Sequence, residues 1–454
     1  MSETKSRKTR RILIGIYGAA LLYFIVKQVL LALYVSGFPD QRAHFSYIVE
    51  MCRNPALIPD FTAIPMYRVE SWDGLTANLV RLNGAVNYLG HPALYYLLIS
   101  LTGPVRFLPD GTVAFDYLKV ILCNIALSSA GAAVAFRLGY RKLKGRSPVF
   151  HLLFAAAIVT LPELGYVGGS ANNDNLAFLA FAIFFTGVMH YDGGKEDLKT
   201  YLLIGNGFLL GSFSKLTTAL IMLIMLLVIL VMSVVRTKSL KLVANRYFLF
   251  TLPCYLLFLA YLLVIHSRYG VWQPTLAVVA PEYFVKTNFY VAPENRVSMT
   301  LLQYADHFLG GIGYTWSSIY GHDQSINDLM NNRMAGLVYW IPVAVSMIAA
   351  AVQLIRKKAD RFTVPAVLAF FGTLVYHFYN GWTGYLKNGY IGGNQARYYY
   401  ALIIPFALIF ASFLPEPKTK KAKAVTVVLA VVLVALWLLG EAPRLLLTGI
   451  PATA

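Results

Sequence analysis

The chain has few charged residues, and its acidic residues are scarcer than its basic ones. Charged residues make up 13% of the 454 residues, with 21 aspartates and glutamates against 39 lysines and arginines. Soluble domains carry roughly 25% charged residues, whereas 58% of this chain is hydrophobic and its mean hydropathy is +0.60. The composition excludes a soluble globular class. It predicts an all-α polytopic membrane protein, with residues 1–454 as a single integral-membrane domain.

Cysteine and the common catalytic signatures are also scarce or absent. The three cysteines are an odd number without the spacing of a disulfide framework or a zinc site. The chain contains no H-E-x-x-H zinc motif, P-loop, G-x-S-x-G elbow or dinucleotide fingerprint, and no internal repeat. ATP-driven transport and soluble-type hydrolase chemistry therefore lack support.

The basic residues are clustered between apolar segments. Of the 39 lysines and arginines, 22 lie in five short clusters: 5–11, 137–146, 236–246, 356–361 and 418–423. Clusters that flank apolar runs in this way indicate cytoplasmic loops. The net charge of +18 therefore reflects membrane topology, and we expect a cytoplasmic N-terminus and no nucleic-acid partner.

With those clusters in the cytoplasm, the apolar runs predict about eleven transmembrane helices, within a range of ten to thirteen. The first run is longer than a signal-peptide core and is interpreted as a retained helix. The predicted helices are about 12–35, 114–136, 148–166, 174–190, 200–213, 216–235, 246–266, 334–355, 363–380, 398–414 and 424–440.

Two long segments are predicted on the outer face, at 36–113 and 268–333. The apolar run 93–102 within the first is too short to cross a hydrocarbon core of about 30 Å, so we expect a short interfacial helix there. The aromatic residues of the first segment suit either the lipid headgroup layer or stacking on a sugar. The second segment is predicted to shape the acceptor site.

The first acidic residue after the first helix is Asp40, in the stretch VSGFPDQRAHF at 35–45. Aspartate is a favoured residue at a helix N-cap, which is one interpretation. The other is chemical, because Arg42 and His44 follow closely and His44 would share a helical face with Asp40.

Four further polar residues lie at predicted outer helix ends. Asp174 either caps a helix or, with Asp40, forms an oxygen-rich site for Mg²⁺, Mn²⁺ or Ca²⁺. Lys215 and Arg397 either anchor helices at the interface or bind a phosphate. His91 precedes Pro92 and is either a loop histidine or a ligand.

Five motifs occur in an order that resembles the GT-C superfamily of polytopic glycosyltransferases, and most closely a largely uncharacterised bacterial branch. That superfamily includes the protein mannosyltransferases and the lipid A aminoarabinose transferases. One departure is Gln41, because the family often has Glu after the first-loop Asp. The motifs are PDQRAHF (39–45), HPALYYLL (91–98), ANNDNLA (171–177), GFLLGSFSKLT (207–217) and QARYYYALIIP (395–405).

The resemblance implies a GT-C-like helix bundle in the bacterial cytoplasmic (inner) membrane, with its active site outside. It implies inverting transfer of a sugar from a polyprenyl-phosphate-linked donor to a cell-envelope glycan, lipid or protein. Asp40 would be the general base, and Asp174 would hold a metal or orient a cation. The substrate and its phosphate would be bound by His91, Lys215, Arg397, Arg42 and His44.

Two alternatives from other classes remain open at this stage. A transporter or flippase of lipid-linked sugars would need similar cations and aromatic residues, although such proteins often contain inverted repeats, which this sequence lacks. A non-catalytic scaffold of envelope assembly would use the two outer segments for docking.

Overall fold

The computed structural model describes residues 3–34, 40–238, 240, 242–317 and 336–447. Within those residues the chain forms seventeen α-helices, four strands and three short 3₁₀ helices, at Pro293–Asn295, Val338–Trp340 and Ala396–Leu402. The helices are α1 (Glu3–Tyr34), α2 (Gln41–Arg53), α3 (Leu94–Ser100), α4 (Tyr117–Lys142), α5 (Pro148–Val159), α6 (Pro162–Gly168), α7 (Asp174–Asp192), α8 (Leu198–Ser212), α9 (Leu216–Thr237), α10 (Arg246–Tyr269), α11 (Leu276–Val279), α12 (Pro281–Phe284), α13 (Leu301–Ser317), α14 (Ile341–Ile355), α15 (Thr363–Asn388), α16 (Ile403–Phe413) and α17 (Lys420–Leu447). The strands are β1 (Pro65–Asp73), β2 (Thr76–Val86), β3 (Val105–Phe107) and β4 (Val113–Asp116).

Several long helices begin and end at residues suited to those positions. The Asn245 side chain accepts hydrogen bonds from the backbone N–H groups of Tyr247 and Phe248 and so caps the start of α10. The same helix ends at Gly270, whose φ of 71° lies in the left-handed region that glycine adopts without a steric penalty. Asp116 caps α4 in the same way, through the N–H of Lys119 at 3.1 Å.

The chain is a multi-pass membrane protein. Eight helices in the described part of the chain are long and apolar enough to cross a bilayer, or nine if α5 and α6, bent by 59°, form one broken span. Ten of the eleven predicted transmembrane helices each overlap one α-helix of the structure, and the predicted helix 148–166 corresponds to two, α5 and α6. However, α8 has only 15 residues, and α15 carries a polar end. The fold class is confirmed, whereas eleven membrane spans are not.

The first predicted outer segment contains a four-stranded antiparallel sheet in addition to α2 and α3. The strand order is β1-β2-β4-β3, and β1 turns into β2 at Gly74, which has a φ of 58°. The sequence analysis predicted short helices here and did not predict the sheet. The apolar run 93–102 forms α3, seven residues long, and its Tyr95 donates to Asn124 on α4 at 2.9 Å.

The break between α5 and α6 is satisfied by a lysine from α1. Lys27 is buried, and its Nζ donates to the carbonyls of Val159 and Leu161 at 2.7 and 3.1 Å. A Cβ on Gly165 would overlap the Lys27 side chain, so glycine is needed there for close packing. Lys27 therefore supplies hydrogen-bond donors to backbone carbonyls that the break between α5 and α6 leaves without helical partners.

The second predicted outer segment is described only in part. Residues 268–317 include the last residues of α10, three short helical turns and α13. The backbone N–H of Ala396 donates a hydrogen bond to the Thr315 hydroxyl of α13 at 2.8 Å. Residues 318–335 lie outside the described part of the chain. The boundaries and roles of both outer segments therefore stay predictions.

Candidate active site

Asp40 stands at the N-cap position of α2 but does not act as a cap. Its backbone has a φ of 59°, a left-handed conformation that Asp tolerates better than most residues. Its side chain makes no capping hydrogen bond. Instead it forms an ion pair with Arg397 and accepts a hydrogen bond from the Tyr88 hydroxyl at 2.7 Å. These long-range contacts favour the chemical interpretation of Asp40 over the capping one.

Asp174 and Lys215 form a second, more deeply buried ion pair. Their side chains are 10% and 4% exposed. The N-cap position of α7 is occupied by Asn173, so Asp174 is not the cap. Asn173 and Ser214 exchange two hydrogen bonds, at 2.8 and 2.9 Å, which fix the two loops that carry the pair.

The cations of the two ion pairs both lie near the ring of Tyr398. The Lys215 ammonium is 5.1 Å from the centroid of the Tyr398 ring, and the Arg397 guanidinium carbon is 5.7 Å from it. Since each cation also holds its own carboxylate, Asp40, Asp174, Lys215 and Arg397 form a single cluster. We call this cluster the four-charge site.

The buried His44 and the half-buried His91 border the four-charge site. The His44 and His91 rings are nearly parallel, with centroids 6.4 Å apart, and His44 Nδ1 is 3.0 Å from the Tyr96 hydroxyl. The Tyr47 hydroxyl donates to the His91 carbonyl at 2.9 Å, which positions the loop before α3. His91 Nδ1 is buried and has no hydrogen-bond partner among the described residues.

Burial and neighbouring charges set the protonation states of these groups. Burial alone would raise the pKa of Asp40, but the Arg397 guanidinium and the Tyr88 hydroxyl hold that pKa well below its ordinary value. Burial, and then the Lys215 ammonium, lower the pKa of His91 to about 4. Burial likewise lowers the pKa of His44 well below its ordinary value. Both histidines are therefore neutral at pH 7.

Burial also lowers the pKa of Lys215 below its ordinary value, although Asp174 acts in the opposite direction. The site thus contains two carboxylates, two cations and two neutral imidazoles. The formal charges of these six side chains sum to zero.

Arg42 is not part of the four-charge site. Its side chain is exposed on α2, and it makes none of the contacts described above. Its neighbour Gln41 is directed elsewhere too, because its Nε2 donates to the Tyr117 hydroxyl at 3.1 Å.

The residues present do not fit a divalent metal ion in this arrangement. No group of three or more His, Cys, Asp or Glu side chains among the described residues could hold one. Asp40 and Asp174 are each engaged by a cation, and Asp174 Oδ2 is a single oxygen without a partner in the described structure. We derive no step through a metal, and the divalent cation stays a prediction.

Glu163 is a buried acid that the sequence analysis did not single out. It lies in the first turn of α6, is fully buried, and accepts a hydrogen bond from the Tyr400 hydroxyl at 2.7 Å. Tyr400 is three residues from Arg397, so Glu163 lies behind the four-charge site. An acid inside an apolar membrane segment was the signal that could have identified it.

The other residues that sequence reasoning missed are two tyrosines. Tyr88 was treated only as an interfacial or sugar-stacking residue, and Tyr398 not at all. Tyr88 contacts Asp40, about 50 residues away along the chain, and Tyr398 contacts Lys215, about 180 residues away. No local pattern indicates such contacts.

Comparison with known proteins identifies the fold. No protein-family model matches the chain, and no curated protein sequence matches it. Its structure is similar to ArnT from Cupriavidus metallidurans bound to undecaprenyl phosphate, with a TM-score of 0.51 and 11% identity over 92% of this chain and 63% of that one. It is also similar to the apo Archaeoglobus fulgidus oligosaccharyltransferase, with a TM-score of 0.51 and 11% identity over 95% of this chain and 56% of that one.

The chain thus spans less than two thirds of the length of these proteins, both of which are GT-C superfamily members. At 11% identity the likeness establishes the fold and not the activity. The resemblance inferred from motif order is confirmed at that level: the chain has the fold of the GT-C superfamily of membrane enzymes.

Proposed function

We propose that this protein is a membrane glycosyltransferase that moves a sugar from a polyprenyl-phosphate-linked donor to a cell-envelope glycan, lipid or protein on the outer face. The observation that carries the proposal is the four-charge site. Two carboxylates from separate parts of the chain pair with two cations, and both cations lie near one aromatic ring. Buried charges are costly in a membrane protein and are a functional hypothesis by default.

The cations suit the phosphate of the donor. Arg397 Nε is buried without a hydrogen-bond partner among the described residues, and the Lys215 ammonium has three N–H donors. A phosphate oxygen can therefore bind these groups without first breaking both ion pairs. The similar ArnT structure is bound to undecaprenyl phosphate, which supports a polyprenyl phosphate as the lipid.

Asp40 suits the role of general base. Its side chain remains 27% exposed while Arg397 is 5% exposed, so the acceptor has access to the carboxylate. The low pKa of Asp40 depends on Arg397. A phosphate that draws the guanidinium away would raise the proton affinity of Asp40, and the base would be strongest when the donor is bound.

The reaction we propose is a single displacement with inversion. The acceptor oxygen bonds to the anomeric carbon of the donor while its proton passes to Asp40. The bond between that carbon and the phosphate oxygen breaks, and its electron pair leaves with the polyprenyl phosphate. Lys215 and Arg397 stabilise the charge that develops on the phosphate.

Three neighbours would position these groups. Tyr88 holds one oxygen of Asp40 and leaves the other to Arg397. His91, neutral and with a free Nδ1 in the described structure, can hydrogen-bond to a sugar or a phosphate. His44 fixes the first turn of α2 through Tyr96.

The test is a transfer assay with the purified chain in nanodiscs. Undecaprenyl-phosphate sugars, supplied one at a time with envelope extract as acceptor, should produce a labelled product with a new glycosidic bond. Arg397→Lys and Lys215→Met should each lower transfer by about 10²–10³-fold, as loss of a donor to a developing anion does. Arg106→Lys and Lys286→Met, on exposed residues, are the matched controls and should transfer normally.

Two outcomes would contradict the proposal. Movement of labelled lipid-linked sugar across liposomes without any new glycosidic bond would identify a transporter. Normal envelope assembly in cells carrying Asp40→Asn, Lys215→Met and Arg397→Gln together would identify a scaffold.

A further inference from the structure

A second polar feature lies at the far end of α7 from the four-charge site. Asp174 begins α7 and Asp192 ends it, and a helix of 19 residues is about 28 Å long. At the Asp192 end, α4, α7 and α8 enclose a cavity of about 380 Å³. That volume is in the range of small-molecule binding sites, about 300–1,000 Å³.

The three helices approach one another closely at glycines near the cavity. A Cβ on Gly131 of α4 would meet the Phe178 ring of α7 at 2.6 Å, and a Cβ on Gly187 of α7 would meet Ile204 of α8 at 2.7 Å. These contacts hold α4 and α8 against α7. Val134, Ile183 and Leu203, one from each helix, line the cavity beside these contacts.

The walls of the cavity are apolar, and its rim is basic. Arg137 and Arg141 come from α4, and Lys195 and Lys199 come from the loop and start of α8. All four are exposed, and no acidic side chain lines the cavity. A fifth lining residue, Lys142, is paired with Asp192 at 2.7 Å, so the other four cations carry the free charge of the rim.

We infer that this basic cleft binds an anionic phospholipid, with its phosphate on the arginines and lysines and its acyl chains on the apolar walls. An apolar wall alone would bind any lipid, and a basic rim alone would bind any anion. Their combination selects an amphiphile with a negative headgroup. Basic pockets between membrane helices are suited to such headgroups, and the rim belongs to the loops predicted to be cytoplasmic, where anionic lipids attract basic side chains.

The inference is independent of the proposed function, because the cleft and the four-charge site occupy opposite ends of α7. A lipid in the cleft would contact α4, α7 and α8 near Asp192 and hold these three helices in fixed positions relative to one another. We expect it to stabilise the chain without contacting the donor.

The experiment measures phospholipid retained by the full chain purified from nanodiscs of phosphatidylethanolamine and phosphatidylglycerol. Native mass spectrometry counts each lipid class. The wild-type chain should retain phosphatidylglycerol over phosphatidylethanolamine. Arg141→Gln/Lys199→Gln should lower that retention by roughly 25-fold, since each basic side chain near an anionic lipid contributes about a fivefold preference. Lys144→Gln/Lys421→Gln removes the same charge from exposed basic residues outside the cleft and should retain the lipid.

Two wall variants test the apolar half of the inference. Ile183→Trp and Leu203→Trp, made separately so that one misfolded variant does not decide the result, should each reduce retention without changing charge. Equal loss in the two charge variants would overturn the inference, because general surface charge would then account for the binding. Equal retention of the zwitterionic lipid would also overturn it. The inference would also be overturned if both wall variants retain phosphatidylglycerol normally and inorganic phosphate competes with the lipid for binding. That result would indicate a site for an anion alone.

Discussion

Removing the lysine from the buried ion pair should separate its structural role from its chemical one. In Lys215→Met the Asp174 carboxylate keeps its place but loses its cation, at a site where the two side chains are 10% and 4% exposed. Breaking a buried pair by removing one partner costs about 3–5 kcal/mol of the free energy of unfolding. The double variant Asp174→Asn/Lys215→Met removes both charges, so we expect it to recover most of that loss.

The assay is denaturant unfolding in bicelles, run beside the transfer assay on the same preparations. Lys119→Met is the control for stability, because Lys119 pairs with Asp116 in an exposed salt bridge at 3.4 Å, a kind worth about 0–1 kcal/mol. Transfer should fall about 10²–10³-fold in both the single and the double variant, since both lack the phosphate-binding cation. If Lys215→Met is as stable as Lys119→Met, the ion pair does not stabilise the fold. If the double variant transfers at the wild-type rate, Lys215 does not bind the phosphate.

Two further predictions concern pH and packing. With the donor well below saturation, where the donor-free protein sets the pH dependence, transfer should not fall between pH 7 and pH 5, because the pKa of Asp40 in that state lies below its ordinary value and the pKa of His91 is about 4. It should fall on the alkaline side below pH 10.5, where Lys215 loses its proton. A pH–rate profile with an acid limb near pH 6.5 would contradict this assignment. Gly165→Ala should lower the free energy of unfolding by about 1–3 kcal/mol, because its methyl group displaces the Lys27 side chain. Gly18→Ala is the control and should not lower it, because the space around the added Cβ is open. Equal stability of the two variants would show that Gly165 is not needed for packing against Lys27.

The helices of the fold could be predicted because each long apolar run is bounded by basic clusters or helix breakers. The number that cross the membrane could not, since α8 is helical but short and α5 and α6 meet at a bend. The sheet was missed although Asp73-Gly74 lies between two segments rich in β-branched and aromatic residues, which is a hairpin signal. The composition of the whole chain predicts an all-α membrane protein, and this prediction was preferred over the local hairpin signal.

The residues of the four-charge site could be predicted because each is a charged residue at the end of an apolar segment. Their pairing could not. Asp40 is bound by a residue 357 positions away, and Asp174 by one 41 positions away. Arg42 has the same local setting as His44 but is exposed on α2, because residues two positions apart on a helix lie on nearly opposite faces. Spacing alone does not decide which side of α2 faces the site.

The central claim, that Asp40 is the base of a glycosyl transfer, is tested most directly by single-turnover transfer with Asp40→Asn in nanodiscs. Asparagine keeps the shape of the side chain and removes the charge. Asp73→Asn, on an exposed residue of β1, is the matched control. We expect Asp40→Asn to bind labelled undecaprenyl phosphate still, while transfer falls by about 10²–10⁴-fold, the contribution of a general base. Transfer by Asp40→Asn at the rate of Asp73→Asn would contradict the central claim.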